Sequence, residues 1–177
     1  MICGCMFSGK TTVLFRRLEQ YPASAILAFK HVIDRRYSAD EIVSHGGKAW
    51  PAVPIATVAE IPGRIRADFR IVALDEAHFF DGAIVRTAGD LTQRGIDVIL
   101  TSLDRDSWGR PFAVAEELRA IADESLMLHA VCARCGAKAD RTQRLTPIVD
   151  GNMVGGPESY EPRCQACWLP PPEHPPD

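Results

Sequence analysis

The chain has 177 residues, of which 46% are hydrophobic, and its formal net charge is −3 at pH 7. This length fits one domain, with or without a small appendage, and the negative charge argues against a large nonspecific nucleic-acid surface. No apolar run approaches the ~20 residues of a membrane span, and no signal-peptide core precedes the first motif, so we expect a cytoplasmic protein.

The first motif lies at the beginning of the chain and predicts a phosphate loop. It follows the pattern G-x-x-x-x-G-K-S/T and consists of Gly4, Cys5, Met6, Phe7, Ser8, Gly9, Lys10 and Thr11. The backbone N–H groups of such a loop point at phosphate oxygens, Lys10 reaches the β- and γ-phosphates, and the Thr11 hydroxyl holds Mg²⁺. An amphipathic helix begins directly at this loop and ends at Tyr21-Pro22. Because the N-terminus of a helix is its positive end, it would face the same phosphate. The alternative is an ordinary glycine turn.

Apolar runs then alternate with amphipathic segments. The pattern predicts strands at 24–32, 69–74, 96–103 and 126–131, a short strand leading into a helix at 55–61, and helices at 82–94 and 111–122. Alternating strands and helices are typical of an α/β fold, here a mostly parallel sheet with helices on both faces.

An acidic pair directly follows the second of these strands. Asp75 and Glu76 lie where an open α/β sheet places its ligand crevice. Asp75 is expected to join the Mg²⁺ shell, which leaves Glu76 free for base chemistry. A helix N-cap is the alternative. Asp34 and Arg36, just past the strand at 24–32, could likewise hold metal and phosphate, or form a solvated charge cluster.

Two C-x-x-C pairs near the end of the chain predict a zinc site formed by Cys132, Cys135, Cys164 and Cys167. Redox thiols are the alternative. The two cysteine pairs are farther apart than in the commonest zinc ribbons, so the residues between them must do more than close a hairpin.

These patterns divide the chain into a nucleotide-binding α/β domain at 1–131, a zinc-binding domain at 132–168 and a disordered Pro-rich tail at 169–177.

Together these motifs resemble the type II, zinc-containing thymidine kinases. The resemblance covers residues 4–167, and its most specific pieces lie at 6–11, 34–38, 75–80, 103–104, 111–112, 130–132, 142–144 and 154–156, leading to Tyr160. It implies a P-loop NTPase-like (RecA-like) fold with a small zinc-ribbon-like domain. It also implies a kinase that transfers the γ-phosphate of ATP to the 5′-hydroxyl of thymidine or deoxyuridine, giving dTMP in the first case. Members are usually tetramers, so we expect a homotetramer with no nucleic-acid or membrane partner.

The resemblance also implies roles for individual residues. Glu76 would be the general base that takes the proton of the nucleoside 5′-hydroxyl. Asp34 and Asp75 would organise Mg²⁺, and Arg36 would contact phosphate. The site for ATP and Mg²⁺ is completed by the phosphate loop and His78. The nucleoside would be bound by Met6, Phe79, Leu103, Ser107, Gly151, Asn152, Met153, Val154, Gly155 and Tyr160. Zinc would anchor both ends of the loop that covers it.

Two residues depart from the family pattern. His78 stands where glutamine is common, and Ser107 stands where an aromatic residue is expected nearby, with Trp108 one residue later. We expect weaker thymidine binding than in a typical member. A catalytically weakened nucleotide-binding homologue, or a kinase with an altered deoxynucleoside preference, is therefore the alternative. A DEAH-box helicase would need two RecA-like lobes, for which the chain is too short.

Only Met1, Ile2 and Cys3 precede the phosphate loop. In phosphate-loop folds a buried strand leads into this loop, and a typical strand has ~5–6 residues. We therefore expect the working protein to begin several residues upstream, with an apolar run before Met1.

Overall fold

The computed structural model describes residues 1–147 and 154–172. The strands are β1 (Ile2–Gly4), β2 (Ile26–His31), β3 (Glu41–Val43), β4 (Ala49–Pro51), β5 (Val53–Ile55), β6 (Ile71–Leu74), β7 (Asp97–Ser102), β8 (Leu126–Leu128), β9 (Ala130–Val131), β10 (Lys138–Ala139), β11 (Arg141–Arg144) and β12 (Tyr160–Arg163). The α-helices are α1 (Lys10–Leu18), α2 (Ala83–Gln93) and α3 (Ala113–Ile121). Short 3-10 helices lie at Ala23–Ala25, Val58–Glu60, Pro62–Arg64 and Ala77–Phe79.

A six-stranded parallel sheet forms the centre of the molecule, in the order β5-β2-β6-β7-β1-β8. The predicted α/β fold is therefore confirmed. Because all six strands run the same way, their carboxyl ends meet at one edge of the sheet. That edge carries the phosphate loop after β1, the polar segment after β2, the acidic pair after β6 and the loop after β7.

The sheet is buried on both faces, and its side chains alternate between two apolar clusters. Val72 and Leu74 of β6 belong to the cluster that contains residues of α2 and α3. Ile71 and Ala73 belong to the other cluster, which contains residues of α1. Successive side chains of a strand point to opposite faces, so continuous apolar runs such as β6 suit a strand covered on both sides. The helices on both faces were predicted correctly.

Two parts of the chain differ from what their sequence indicates. Turn residues at 44–48 and the prolines Pro51 and Pro54 are typical of turns and an irregular connection, but the segment 41–51 contains the antiparallel pair β3–β4. The predicted strand at 126–131 is divided. β8 joins the central sheet beside β1, whereas β9 pairs with β10. A single polar residue, His129, lies at this break between two apolar segments, which is too weak a signal to divide the predicted strand.

The C-terminal part of the chain, residues 130–147 and 154–169, is here named the cysteine lobe. It contains the antiparallel pairs β9–β10 and β11–β12 and brings the four predicted zinc ligands together. The division of the chain into domains at residue 131 stays a prediction, as does a disordered tail, of which 173–177 lie outside the described residues. No described helix is long and apolar enough to cross a membrane.

Candidate active site

The phosphate loop curls tightly between β1 and α1. Gly4 has φ of 152°, and a Cβ on this residue would collide with the backbone carbonyl oxygen of Leu128 in the neighbouring strand. Phe7 has φ of 63°, an unusual conformation for a residue with a side chain. Lys10 is only 6% exposed, and its Nζ donates to the Cys5 carbonyl oxygen across the loop at 3.0 Å. The lysine is thus held inside the loop.

The loop is also tied to the cysteine lobe. The Met6 backbone N–H donates to Thr142 Oγ1 at 3.1 Å, and the Cys5 thiol donates to the Ala139 carbonyl oxygen at 3.5 Å. Thr142 is buried. From the sequence, Thr142 belongs only to a family motif with no role of its own, and its single signal is a short hydroxyl side chain between longer polar residues at 141–144.

A buried threonine arranges the acidic pair. The Thr101 hydroxyl donates to Asp75 Oδ1 and accepts a hydrogen bond from the Glu76 backbone N–H at 3.0 Å. Glu76 has φ of 53°, in the left-handed region. Such backbone strain in a residue other than glycine is concentrated at functional sites. Thr101 was not predicted as a site residue, and its only signal is a buried polar residue directly after the apolar residues Val98, Ile99 and Leu100 of β7.

Arg36 joins three parts of the site. Its guanidinium donates to both carboxylate oxygens of Asp34, at 2.7 and 2.9 Å, and to Glu76 Oε1 at 3.2 Å. It also donates to the Gly155 carbonyl oxygen at 3.3 Å, from the segment predicted to cover the nucleoside. The structure therefore brings the neighbouring residues Asp34 and Arg36 together with Glu76 and Gly155, which lie far from them in the sequence.

The two neighbouring carboxyl groups have opposite pKa shifts. Burial, reinforced by the negative charge of Glu76, raises the pKa of Asp75 to about 7. Burial also acts to raise the pKa of Glu76, but the positive charges of Lys10 and Arg36 outweigh it and lower this pKa to about 2. Glu76 is therefore the ionised member of the pair at neutral pH.

His78 is held as a neutral imidazole. Burial lowers its pKa to about 4, more than the nearby Glu76 carboxylate raises it. The Leu103 backbone N–H donates to His78 Nδ1 at 3.2 Å, which leaves the proton on Nε2. The ring packs between Phe79 and Phe112, with centroid distances of 4.4 and 4.8 Å.

Two clefts meet at Glu76. The first has a volume of about 290 Å³ and is lined by the phosphate-loop residues Met6, Phe7, Gly9, Lys10 and Thr11 together with Asp34, Arg36 and Asp75. The second has a volume of about 300 Å³ and is lined by His78, Phe79, Leu103, Ser107, Val154, Gly155 and Tyr160. Met6, Arg36 and Glu76 line both clefts.

Most predicted site residues thus line one of the two clefts, with some differences in position. Gly4, Cys5 and Ser8 shape the phosphate loop without lining the first cleft. His78, assigned from the sequence to the site for ATP and Mg²⁺, lines the second cleft. Gly151, Asn152 and Met153 lie outside the described residues. The second cleft also contains residues that the sequence analysis did not assign to it, namely Ile33, Arg105, Asp106, Phe112 and Thr142.

The four cysteines of the C-x-x-C pairs fit a tetrahedral zinc ion. The sulfur atoms of Cys132, Cys135, Cys164 and Cys167 all lie within 4.8 Å of one another. The Cys135 and Cys164 sulfurs are 3.6 Å apart, close to the ~3.8 Å edge of a tetrahedron with Zn–S bonds of ~2.3 Å. Cys3 and Cys5 are buried beside the phosphate loop and are not members of this cluster.

Comparison with known protein families gives a match that covers both the central sheet and the cysteine lobe. The family model described as Thymidine kinase matches residues 1–168. The matched region includes the phosphate loop, the acidic pair and all four clustered cysteines.

Proposed function

Because the chain belongs to the thymidine kinase family, we propose that it transfers the γ-phosphate of ATP to the 5′-hydroxyl of thymidine or deoxyuridine. Thymidine would yield dTMP. The observation that carries this proposal is the position of Glu76, an ionised carboxylate at the junction of a phosphate-binding cleft and a second, partly aromatic cleft.

The first cleft suits the triphosphate of ATP. Its loop N–H groups and Lys10 supply positive charge where the transferred phosphoryl group accumulates negative charge. Asp34, Asp75 and Thr11 provide oxygen atoms of the kind that Mg²⁺ prefers, and the ion, when bound, would neutralise phosphate charge. Phosphoryl transfer passes through a loose transition state, so positioning and charge neutralisation account for most of the catalysis.

Glu76 is suited to accept the proton of the attacking hydroxyl. Arg36 holds its Oε1, whereas Oε2 is buried and accepts no hydrogen bond from any residue that the structure describes. A pKa of about 2 makes a weak base, but Lys10 contributes to this low value. When phosphate groups offset the charge of Lys10, the pKa of Glu76 rises toward the value that proton transfer needs.

The second cleft suits a nucleoside. Its volume of about 300 Å³ lies at the small end of the range for ligand pockets, and Phe79, Phe112 and Tyr160 give it aromatic walls. The neutral His78 ring is one of its polar groups. Because His78 replaces the usual glutamine, an altered deoxynucleoside preference is the second candidate function. A homotetrameric assembly and a cytoplasmic location also stay proposals.

The test is phosphoryl transfer from Mg-ATP to thymidine, deoxyuridine, deoxycytidine, deoxyadenosine and deoxyguanosine. We expect thymidine and deoxyuridine to be the best acceptors. If no nucleoside is phosphorylated by the zinc-loaded protein, the proposed function is wrong. If deoxycytidine or a purine is preferred, the second candidate is correct.

The same assay tests the general base. Replacing Glu76 with glutamine (Glu76→Gln) keeps the shape of the side chain but removes its basicity, so kcat should fall about 10²–10⁴-fold. The affinity for Mg-ATP should change little, because among the described residues the Glu76 side chain is hydrogen-bonded to Arg36 and not to the phosphate loop. Glu116→Gln, at an exposed position of α3, is the matched control and should leave kcat unchanged. Wild-type turnover in Glu76→Gln would show the assignment to be wrong.

A further inference from the structure

The wall of the second cleft includes a compact loop at 104–111. Arg105, Asp106 and Ser107 of this loop line the cleft, and none of its residues lines the first cleft. Asp106 holds the loop together, because its carboxylate accepts hydrogen bonds from the backbone N–H groups of Trp108 and Arg110, both at 2.9 Å. The loop is therefore braced internally and is expected to move as one unit.

Trp168 of the cysteine lobe contacts this loop at two residues. Its indole Nε1 donates to the Ser107 carbonyl oxygen at 3.3 Å. Its ring also packs against Gly109, where a Cβ would lie 3.1 Å from the Trp168 Cη2 atom. Gly109 has φ of 82°, so glycine suits this position for both its conformation and its space. The indole thus contacts the loop that forms this cleft wall through one hydrogen bond, to Ser107, and one close packing contact, with Gly109.

Trp168 is itself fixed by the cysteine lobe. It directly follows Cys167, and its backbone N–H donates to the Cys164 carbonyl oxygen at 2.9 Å. The guanidinium of Arg141, in β11, lies 5.8 Å from the ring centroid. The side-chain amide of Gln143, in the same strand, binds the backbone of Leu169 twice: Nε2 donates to the Leu169 carbonyl oxygen and Oε1 accepts from the Leu169 N–H, each at 2.8 Å. The indole therefore has little freedom to leave the loop.

We propose that Trp168 is a positioning residue for the acceptor nucleoside, because it links the C-terminal cysteine pair to the wall of the second cleft through Ser107 and Gly109. This inference rests on the proposed function, since it takes the second cleft to be the nucleoside site. The first cleft has no wall from the loop at 104–111. Loss of the indole should therefore weaken nucleoside binding selectively and spare ATP.

The test compares Trp168→Ala and Trp168→Phe with wild type in steady-state kinetics, with zinc content and melting temperature measured on each preparation. Trp168→Ala should raise the KM for thymidine about tenfold, which corresponds to about 1.4 kcal/mol. Trp168→Phe keeps a ring against Gly109 but loses the donor to Ser107, so a rise of about threefold is expected. The KM for ATP and kcat should stay within about twofold in both. Leu169→Ala, which removes a side chain that is 66% exposed, is the control and should match wild type.

The outcomes separate this inference from the proposed function. Activity of the wild type on thymidine, with an unchanged thymidine KM in both variants, would overturn the role of Trp168 alone. An equal rise in the KM for ATP and thymidine would also overturn it, because this pattern indicates general loosening. If Trp168→Ala loses zinc or fails to fold, Trp168→Phe decides. A wild type inactive on every nucleoside would overturn both proposals.

Discussion

Asp75 and Glu76 are adjacent in the chain but face different electrostatic surroundings. Asp75 lies at the end of β6 and is 7% exposed, so its charge is costly without a cation. Glu76 turns through the left-handed region and reaches Arg36, which favours its charged form. The backbone conformation of a single residue thus separates a carboxyl group suited to metal binding from one suited to accept a proton.

This difference leads to a prediction on stability and pH. The pKa of Asp75 is raised in the folded protein, from 3.8 to about 7, so the folded state binds more protons than the unfolded state between about pH 4 and pH 7. Without Mg²⁺, wild type should therefore lose stability relative to Asp75→Asn as the pH rises through this window. The loss should be on the order of a few kcal/mol.

Melting temperatures of the two proteins between pH 5 and pH 8, with magnesium omitted, test this prediction. Added MgCl₂ should stabilise wild type at pH 8, because a ligand stabilises the folded state that binds it. The stability of Asp75→Asn should stay unchanged, because this variant lacks the carboxylate that is expected to bind Mg²⁺. Asp97→Asn, at an exposed position at the start of β7, is the control and should follow wild type. Parallel pH curves for wild type and Asp75→Asn would contradict the assignment.

His78 gives a second prediction at this scale. The neutral imidazole uses Nδ1 to accept from the Leu103 N–H and therefore offers the second cleft only one donor, Nε2–H. A glutamine could accept from Leu103 through Oε1 and still offer an amide group with two N–H donors. We therefore expect His78→Gln to lower the KM for thymidine about threefold, equivalent to part of one hydrogen bond.

Steady-state kinetics with thymidine as the varied substrate tests this prediction, with the KM for ATP as the internal control. An unchanged or higher thymidine KM would count against it. That result would mean that the contacts of the ring with Phe79 and Phe112 contribute more than the additional donor.

At the scale of elements, the carboxyl edge of the sheet could be predicted because each of its loops follows a strand with a clear local signal. The phosphate loop has a defined pattern, and the apolar run of β6 ends directly in two acids. The alternation of strands and helices predicts a parallel sheet, and parallel strands bring these loops together. None of these steps requires knowledge of a distant contact.

The contacts that organise the site could not be predicted in the same way. The hydrogen bond between Met6 and Thr142 joins residues 136 positions apart, and that between Trp168 and Ser107 joins residues 61 apart. Both involve one backbone atom and one ordinary side chain, which leave no periodic pattern in the sequence. The pair β3–β4 escaped prediction for a related reason, since each strand has only three residues. Strands this short show too little alternation to be distinguished from turns.

At the scale of the whole molecule, the cysteine lobe contacts two loops at the carboxyl edge of the sheet, one after β1 and one after β7. Ala139 and Thr142 bind the phosphate loop, and Trp168 binds the loop at 104–111. Ala139 and Thr142 lie between the two cysteine pairs, and Trp168 directly follows the second pair. The cysteine lobe thus contacts a loop of each cleft, and we expect the order of both clefts to depend on the cysteine cluster.

The last prediction follows from this dependence. The four clustered cysteines should bind one Zn²⁺ per chain, and Cys3 and Cys5 should bind none. Cys164→Ser removes one ligand and should lower stability by several kcal/mol, because the binding free energy of a structural zinc ion contributes to folding. It should also raise the KM for thymidine, because loss of the metal would loosen the turn whose Cys164 carbonyl oxygen accepts the hydrogen bond from the Trp168 backbone N–H.

Metal analysis of protein purified without chelators, followed by melting and kinetic measurements, tests the zinc prediction. Cys3→Ala is the control, since Cys3 is equally a buried cysteine but lies in β1, and it should retain one zinc per chain. A wild type that contains no zinc would refute the metal site. Full zinc content in Cys164→Ser would instead show that this cysteine is not a required ligand. If zinc is lost but the thymidine KM stays unchanged, the lobe stabilises the fold without controlling the nucleoside cleft.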